Sequence, residues 1–415
     1  MAVKRKDAPV RDLRSALEFL RGMQGQLAET EVEVDPAAEL SGVYRYVGAG
    51  GTVKRPTRTN GPAMLFKNLK GHPGASAAIG VLASRERVAR LLGCAKEDLG
   101  RLLCESVASP IAPVLDESPA PCQEVVHLAS EPDFDLFRLL PAPTNTPVDA
   151  GPYITLGMCC ATHPDTGCSD VTIHRLCIQG RDELSIAGAI RGEPVRLCRC
   201  VSVAERAIAH AEFVIEGEIV PGVRVQEDQH SGTGFAMPEF PGYNGVASSE
   251  CWLLKVKALT HRRAPILQTC IGPSEEHVNM AGIPTEASVL GMLERAMPGR
   301  VKNVCAHRSG GGKYMAILQM CKKAPTDEGR QRQAALLAFS AFPELKHVVL
   351  AVREAPLSAV HLRNMYELAR FGAVVFPPVP AWYAKPQSLE EAERQIAARI
   401  LAQFGVEAPG APCWG

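Results

Sequence analysis

The chain has 415 residues, 46% apolar and 22% charged, the balance of a water-soluble chain of two or three domains. Lys and Arg together number 45, as do Asp and Glu, so no net field draws it to nucleic acid or an anionic membrane. Its apolar runs are too short to span a bilayer, and its basic, amphipathic start lacks a signal peptide's apolar core, so a cytoplasmic location is expected.

Arg11–Leu27 reads as a helix with Leu13, Leu17, Leu20 and Leu27 on one face. Gly48–Pro62 reads as loop, Ala63–Asn68 as a strand, and Arg85–Leu92 and Lys96–Ser106 as helices. Pro110–Pro121, with four prolines, reads as a domain linker. A strand-rich block follows from about Cys122 to Thr269, with Ile154–Ala161, Val171–Ile178, Phe213–Ile219 and Cys251–Leu259 as strands. Such a block suggests a barrel or sandwich. Glu286–Ala296 and Glu328–Phe339 read as helices and Tyr314–Met320 as a strand. Lys346–Val352, Ser358–Phe371 and Ala373–Phe376 read as a βαβ unit. The last helix opens at Ser388 with Glu391 at capping-box spacing, and Leu389, Ile396, Ile400 and Phe404 form its apolar stripe.

Three segments carry candidate chemistry. In Asp170–Arg175, strand alternation puts Asp170, Thr172 and His174 on one face and Arg175 on the other, among apolar neighbours. A guanidinium placed there needs either an anionic ligand or an internal carboxylate partner. In Gly232–Tyr243 a single carboxylate, Glu239, is hemmed by Met237, Pro238, Phe240 and Pro241. Apolar surroundings raise a carboxyl pKa and suit a proton donor; an exposed loop acid is the other reading. Ser309–Tyr314 is a glycine run before a strand, which fits a tight turn and not a nucleotide P-loop; His307 and Arg308 beside it are candidate anion ligands. No H-E-x-x-H and no G-x-S-x-G is present. The 14 cysteines contain no C-x-x-C and read as reduced, mostly buried thiols.

Long stretches, among them VTIHRLCIQGRDELS, AHAEFVIEGEIVPGVRVQED, GTGFAMPEFPGYNG and SGGGKYMAILQ, resemble the UbiD family of prenylated-flavin-dependent decarboxylases, in its gallate and hydroxybenzoate branch. The resemblance runs from about Asp12 to Val352. It implies an α+β multidomain fold: an N-terminal α/β domain over 1–115, a split β-barrel flavin domain over 116–300 and a Rossmann-like α/β segment over 301–415. It further implies reversible, non-oxidative decarboxylation of a phenolic acid such as gallate or protocatechuate on prenylated FMN. Arg175 and Glu239 match the catalytic pair; Thr172, His174, Arg175, Met237 and Pro238 match cofactor contacts; Asp170 and Glu183 match ligands of a manganese-like divalent metal, with potassium as a further ion. An aromatic carboxylic acid, a flavin prenyltransferase that supplies the cofactor, and further copies of the chain in a homo-oligomer are the implied partners.

Three departures qualify the resemblance. Relatives carry a second glutamate five residues before the position of Glu239, where this chain has Gly234. Between Arg175 and Glu183, eight positions apart, relatives place a long stretch with a helix and a metal-binding histidine, so the domain is internally shortened near 176–184. From 353 to the end the chain resembles the UbiX flavin prenyltransferases instead, with Arg353, Glu354, Tyr383 and Arg399 at their active-site positions but without their phosphate loop. Three functions remain open: an active decarboxylase, an inactive remnant that only binds, and a flavin prenyltransferase.

Overall fold

The computed structural model describes residues 10–49, 60–162, 165–167, 169–184, 196–239, 243–342, 347–351, 357–370, 374–380, 382 and 385–402. They fall into two compact units, one within Lys4–Lys96 and Ser106–His277, the other within Glu97–Glu105 and Val278–Gly415. No helix among the described residues is long and apolar enough to cross a membrane.

In the larger unit, Asp12 caps helix α1 (Leu13–Arg21) by accepting from the Ser15 backbone, while Ser15 Oγ accepts from the Asp12 backbone. The helix is shorter than the apolar spacing predicts. Gly22 and Gly25 break it, the latter at φ +70°, and Leu27 pairs in a strand instead. Numbered along the chain, β1 (Leu27–Thr30), β2 (Ala63–Phe66), β3 (Ser76–Ile79) and β15 (Ile266–Thr269) form one mixed sheet in that order. Alternation along β2 explains its two-sided burial: Ala63 and Leu65 pack with Leu17 and Leu20, whereas Met64 and Phe66 pack with Leu40 and Tyr44 of α2 (Glu39–Val47). Helix α3 (Arg85–Leu91), capped by Ser84, adds Leu91 to the first of these cores.

The proline-rich stretch after α4 (Leu99–Ala108) is more than a linker. Its Val114–Leu115 segment forms β4, which lies parallel to β9 (Arg196–Arg199) in a three-stranded sheet completed by β10 (Arg206–Ile208). The strand-rich block is largely one sheet. In order it runs β11 (Phe213–Val225), β14 (Cys251–His261), β8 (Glu183–Leu184), β7 (Ser169–Gly180) and β6 (Tyr153–Thr162), with β5 (Val125–Leu128) also on β14. No pairing among the described residues joins β6 to β11, so the sheet is open there. One face of β7 sends Leu176 and Ile178 into a core with Ile154, Val256 and Leu259, closed by Leu136 of the short helix α5 (Leu136–Leu139). A hairpin of β12 (Phe235–Pro238) and β13 (Asn244–Val246) lies on the opposite side.

In the smaller unit α6 runs over Glu275–Ala296, well upstream of the helix expected from Glu286, and continues through Pro284. Pro284 and Gly282 read as breakers in the sequence. In the fold, Gly282 lies where a side chain would meet the Gly312 backbone at 3.3 Å, so close packing on the glycine turn favours the helix. That turn is tight, with Gly311 at φ +62° and Gly312 at φ +78°. Strands β16 (Val301–Ala306), β17 (Met315–Met320), β18 (His347–Ala351) and β19 (Val374–Phe376) form a sheet in chain order. Helix α7 (Arg330–Ala341) joins β17 to β18, and α8 (Ala359–Arg370) joins the parallel pair β18–β19, the expected βαβ unit. Helix α9 (Leu389–Ala402) is capped by Ser388, but Leu389 is exposed, and the helix buries Ala392, Gln395 and Ala398 in its place. Phe404 and Gly372 lie outside the described residues. No group of three or more metal-ligating side chains occurs among the described residues, and the described cysteines are free thiols.

Candidate active site

The site starts on β7. Its partner β6 carries an irregularity between Ile154 and Gly157, so Thr155 and Leu156 oppose the single residue Arg175. Beside it, Cys177 pairs with Tyr153 and packs with Ala236 and Met237 of the hairpin. Arg175 therefore lies on the hairpin side of the sheet, while Leu176 faces the apolar core.

Arg175 has two carboxylate partners. Its Nε and Nη2 donate to Oε1 and Oε2 of Glu227 at 3.0 and 3.2 Å, and its Nη1 donates to Oε1 of Glu239 at 2.9 Å. Glu227 is 3% exposed and Glu239 is 25% exposed, so the first is a buried anchor and the second opens to solvent. Tyr153 Oη and the Ser248 amide also donate to the Glu227 carboxylate, at 2.9 and 3.0 Å, and Gln179 holds its carbonyl at 2.9 Å. Burial opposes the charge on Arg175, but the Glu227 carboxylate outweighs it and holds the guanidinium pKa above its usual value. Three of the five guanidinium N–H groups are used, leaving one on each terminal nitrogen.

Glu239 follows β12. Its amide donates to the Tyr243 carbonyl at 2.8 Å, and Pro238 pairs with Asn244. Gly272 supports it from beneath: a Cβ there would lie 2.8 Å from the Glu239 carbonyl carbon. The expected apolar cage is only half of its surroundings. Met237 and Pro238 are buried, but the nearest polar neighbour of the acid is the Arg175 guanidinium; Phe240 and Pro241 lie outside the described residues.

Both readings of Arg175, an anion site and an internal ion pair, thus describe part of the arrangement. Glu227 was missed. This carboxylate comes from the turn after β11, 52 positions from Arg175. Its sequence signal was faint: an acidic pair, Glu227-Asp228, ending a strand.

His174 Nδ1 is buried with no hydrogen-bond partner among the described residues, and burial together with the Arg175 charge lowers the ring pKa to about 4. Thr172 is half-buried on the same strand. Asp170 and Glu183 are not brought together. Glu183 pairs with Gly180, ten residues along β7 from Asp170, which at about 3.3 Å per residue is the opposite end of the strand. Glu183 instead binds Lys255 at 3.2 Å. Arg353, Glu354 and Tyr383 lie outside the described residues, and Arg399 is exposed, 5.7 Å from the Phe376 ring centroid.

The sheet thus presents an arginine between two glutamates, one buried and one accessible. Models of the 3-octaprenyl-4-hydroxybenzoate carboxy-lyase match along the chain: the N-terminal domain at residues 20–107, the Rift-related domain at 114–185 and again at 179–275, and the C-terminal domain at 278–370. The chain belongs to the UbiD family of decarboxylases. It is 46% identical over 395 residues to the gallate decarboxylase of Lactiplantibacillus plantarum, covering 82% of this chain and 80% of that protein. The apo structure of a 3,4-dihydroxybenzoic acid decarboxylase from Enterobacter cloacae superposes with a TM-score of 0.77 at 46% identity, covering 87% and 85% of the two chains. An evolved dimeric form of the UbiD-class enzyme HmfF from Pelotomaculum thermopropionicum, in complex with prFMN, gives 0.71 at 28% identity, covering 87% and 90%. A separate, local likeness of 48% over 71 residues joins 17% of this chain to 36% of a probable UbiX-like flavin prenyltransferase from Streptomyces.

The residues present fit the family's flavin unevenly. The ring end has a donor, an acid and the partnerless His174 Nδ1. The metal and phosphate end does not fit, because of its two expected ligands Asp170 lies at the start of β7 and Glu183, on β8, pairs with the other end of β7.

Proposed function

We propose that this chain carries out reversible, non-oxidative decarboxylation of a hydroxybenzoic acid such as gallate or protocatechuate. The observation that carries the reading is the 2.9 Å contact between Arg175 and Glu239, with Glu227 fixing the far edge of the same guanidinium. Bound prenylated FMN supplies the electron sink that lets carbon dioxide leave the ring. Arg175, aimed by Glu227, exchanges Glu239 for the substrate carboxylate and orients it. Glu239, released from the guanidinium and 25% exposed, takes a proton from solvent and passes it to the ring carbon that loses carbon dioxide. Thr172, His174, Met237 and Pro238 are the chain's contacts to the flavin in this reading. The test is carbon dioxide release from gallate, protocatechuate and 4-hydroxybenzoate after co-expression with a flavin prenyltransferase. Release no greater than that of Arg175→Ala removes the proposal.

A second reading, an inactive remnant, is favoured by the separation of Asp170 from Glu183. The domain is read as internally shortened. The Rift-related model matches twice and overlaps at 179–185, and the 395-position alignment to the gallate decarboxylase takes in only 82% of this chain, so it includes positions the chain lacks. A chain without that stretch holds neither manganese nor the cofactor phosphate well. A melting temperature that ignores both prenylated FMN and manganese supports the remnant. The split-barrel form of the central domain, the three-part domain division and assembly into a homo-oligomer belong to the same family reading. The third function, flavin prenylation, rests on the local likeness at the tail; absence of product from reduced flavin and dimethylallyl phosphate closes it.

A further inference from the structure

Among the described residues of the larger unit, Arg45 Nη1 and Asn145 Nδ2 are buried donors without an acceptor. Asn145 is 3% exposed. The two belong to one neighbourhood. Ser41 and Arg45 lie four apart on α2 and so share a face, and Ser41 Oγ donates to Asn145 Oδ1 at 2.7 Å. The Asn145 amide donates to Asp149 Oδ2 at 2.9 Å, and Asp149 is the carboxylate whose field reaches Arg45. Asp149 accepts from the Asn145 amide, the Thr146 amide and the Thr146 hydroxyl, and makes no hydrogen bond to Nη1.

This neighbourhood touches the acid of the candidate site. Arg45 Nη2 donates to the Gly272 carbonyl, and Gly272 lies against the Pro238–Glu239 backbone. A half-buried guanidinium whose Nη1 is shut off from water bears that desolvation without the matching bond. A carboxamide N–H and a guanidinium N–H both donate, so the missing group accepts, and the guanidinium charge selects an anion with several oxygens. We infer that Arg45 and Asn145 bind an oxyanion, a carboxylate or a phosphate, behind the Glu239 strand. Which source supplies it rests on the decarboxylase reading: the cofactor phosphate or an aromatic carboxylate. The binding itself does not depend on that reading.

The experiment titrates the full chain with sodium phosphate and with benzoate at constant ionic strength, following melting temperature and calorimetric heat. Wild-type protein is expected to bind at least one of the two anions. Arg45→Met should bind it at least tenfold more weakly, Arg45→Lys should recover part of the loss, and Asn145→Asp should weaken it by repulsion. FMN and riboflavin then separate the sources. If the source is phosphate, Arg45→Met weakens FMN and leaves riboflavin unchanged; if it is carboxylate, protocatechuate binding falls and FMN binding is unchanged. Circular dichroism confirms that the variants fold, and Arg45→Lys serves if Asn145→Asp does not. Equal anion binding by wild type and Arg45→Met, or no binding by wild type, overturns the site. Anion binding at Arg45 in a chain that releases no carbon dioxide would sink the decarboxylase reading and leave this one standing.

Discussion

Glu227 grips Arg175 along one edge, Nε to Oε1 at 3.0 Å and Nη2 to Oε2 at 3.2 Å, so the guanidinium plane is set by a buried anion before any substrate arrives. A planar fork held at one edge presents its remaining N–H groups in fixed directions. Glu227→Gln keeps the volume but offers one accepting oxygen for four donors. It should lower the rate of carbon dioxide release about 10²-fold, the cost of a small misplacement. Glu227→Ala also strands Tyr153 Oη and the Ser248 amide, a loss of about 1–3 kcal/mol by urea unfolding. Unchanged turnover in Glu227→Gln would show that Arg175 needs no such aim.

The His174 ring has its pKa lowered to about 4 by burial and by the neighbouring Arg175 charge. The unfolded ring takes up its proton near the ordinary value of 6.5, and the folded ring only near 4. Stability is therefore full above 6.5 and falls as pH drops from 6.5 towards 4. His174→Asn should flatten that part of the curve. A ring already protonated at pH 5.5 in an NMR titration would contradict the assignment.

Glu276 behaves in the opposite sense. It is fully buried and accepts from the amides of Gly80 and Leu82 at 2.6 and 2.9 Å, yet burial dominates and raises its pKa to about 7. The unfolded acid ionises near 4.5 while the folded acid holds its proton to about 7, so its contribution is present below 4.5 and is lost as pH rises to 7. The two groups oppose each other between 4.5 and 6.5, so each needs its own difference curve. The stability of wild type minus that of Glu276→Gln should decline across 4.5–7; a rising difference refutes the shift.

Gly272→Ala should disturb the acid without touching it. The new Cβ would lie 2.8 Å from both the carbonyl carbon and the carbonyl oxygen of Glu239, so that backbone must move. Overpacking of this kind costs about 1–3 kcal/mol. A lower melting temperature with reduced carbon dioxide release is expected. Full stability with full activity would mean that the contact has slack.

Much of this was legible in the linear chain because it depends on short-range regularity. Alternation in Asp170–Arg175 set Arg175 against Leu176, and the β18–α8–β19 unit followed from spacing alone. Two elements were misjudged for one reason: propensity is local, and packing overrode it at Pro284 in α6 and at Leu27 in β1. The family was also readable, since long motifs survive in the order of residues.

What the chain alone determined, then, is membership, strand faces and the identity of Arg175 and Glu239 as candidates. Only the tertiary structure decided who stands beside them. It brought Glu227 to Arg175 from 52 positions away, left Arg45 Nη1 without an acceptor among the described residues, and set Glu183, on β8, beside the end of β7 opposite Asp170. The reason is geometric. A strand's faces follow from a period of two residues, but the distance between side chains on different elements depends on pairings and loops that no local pattern encodes.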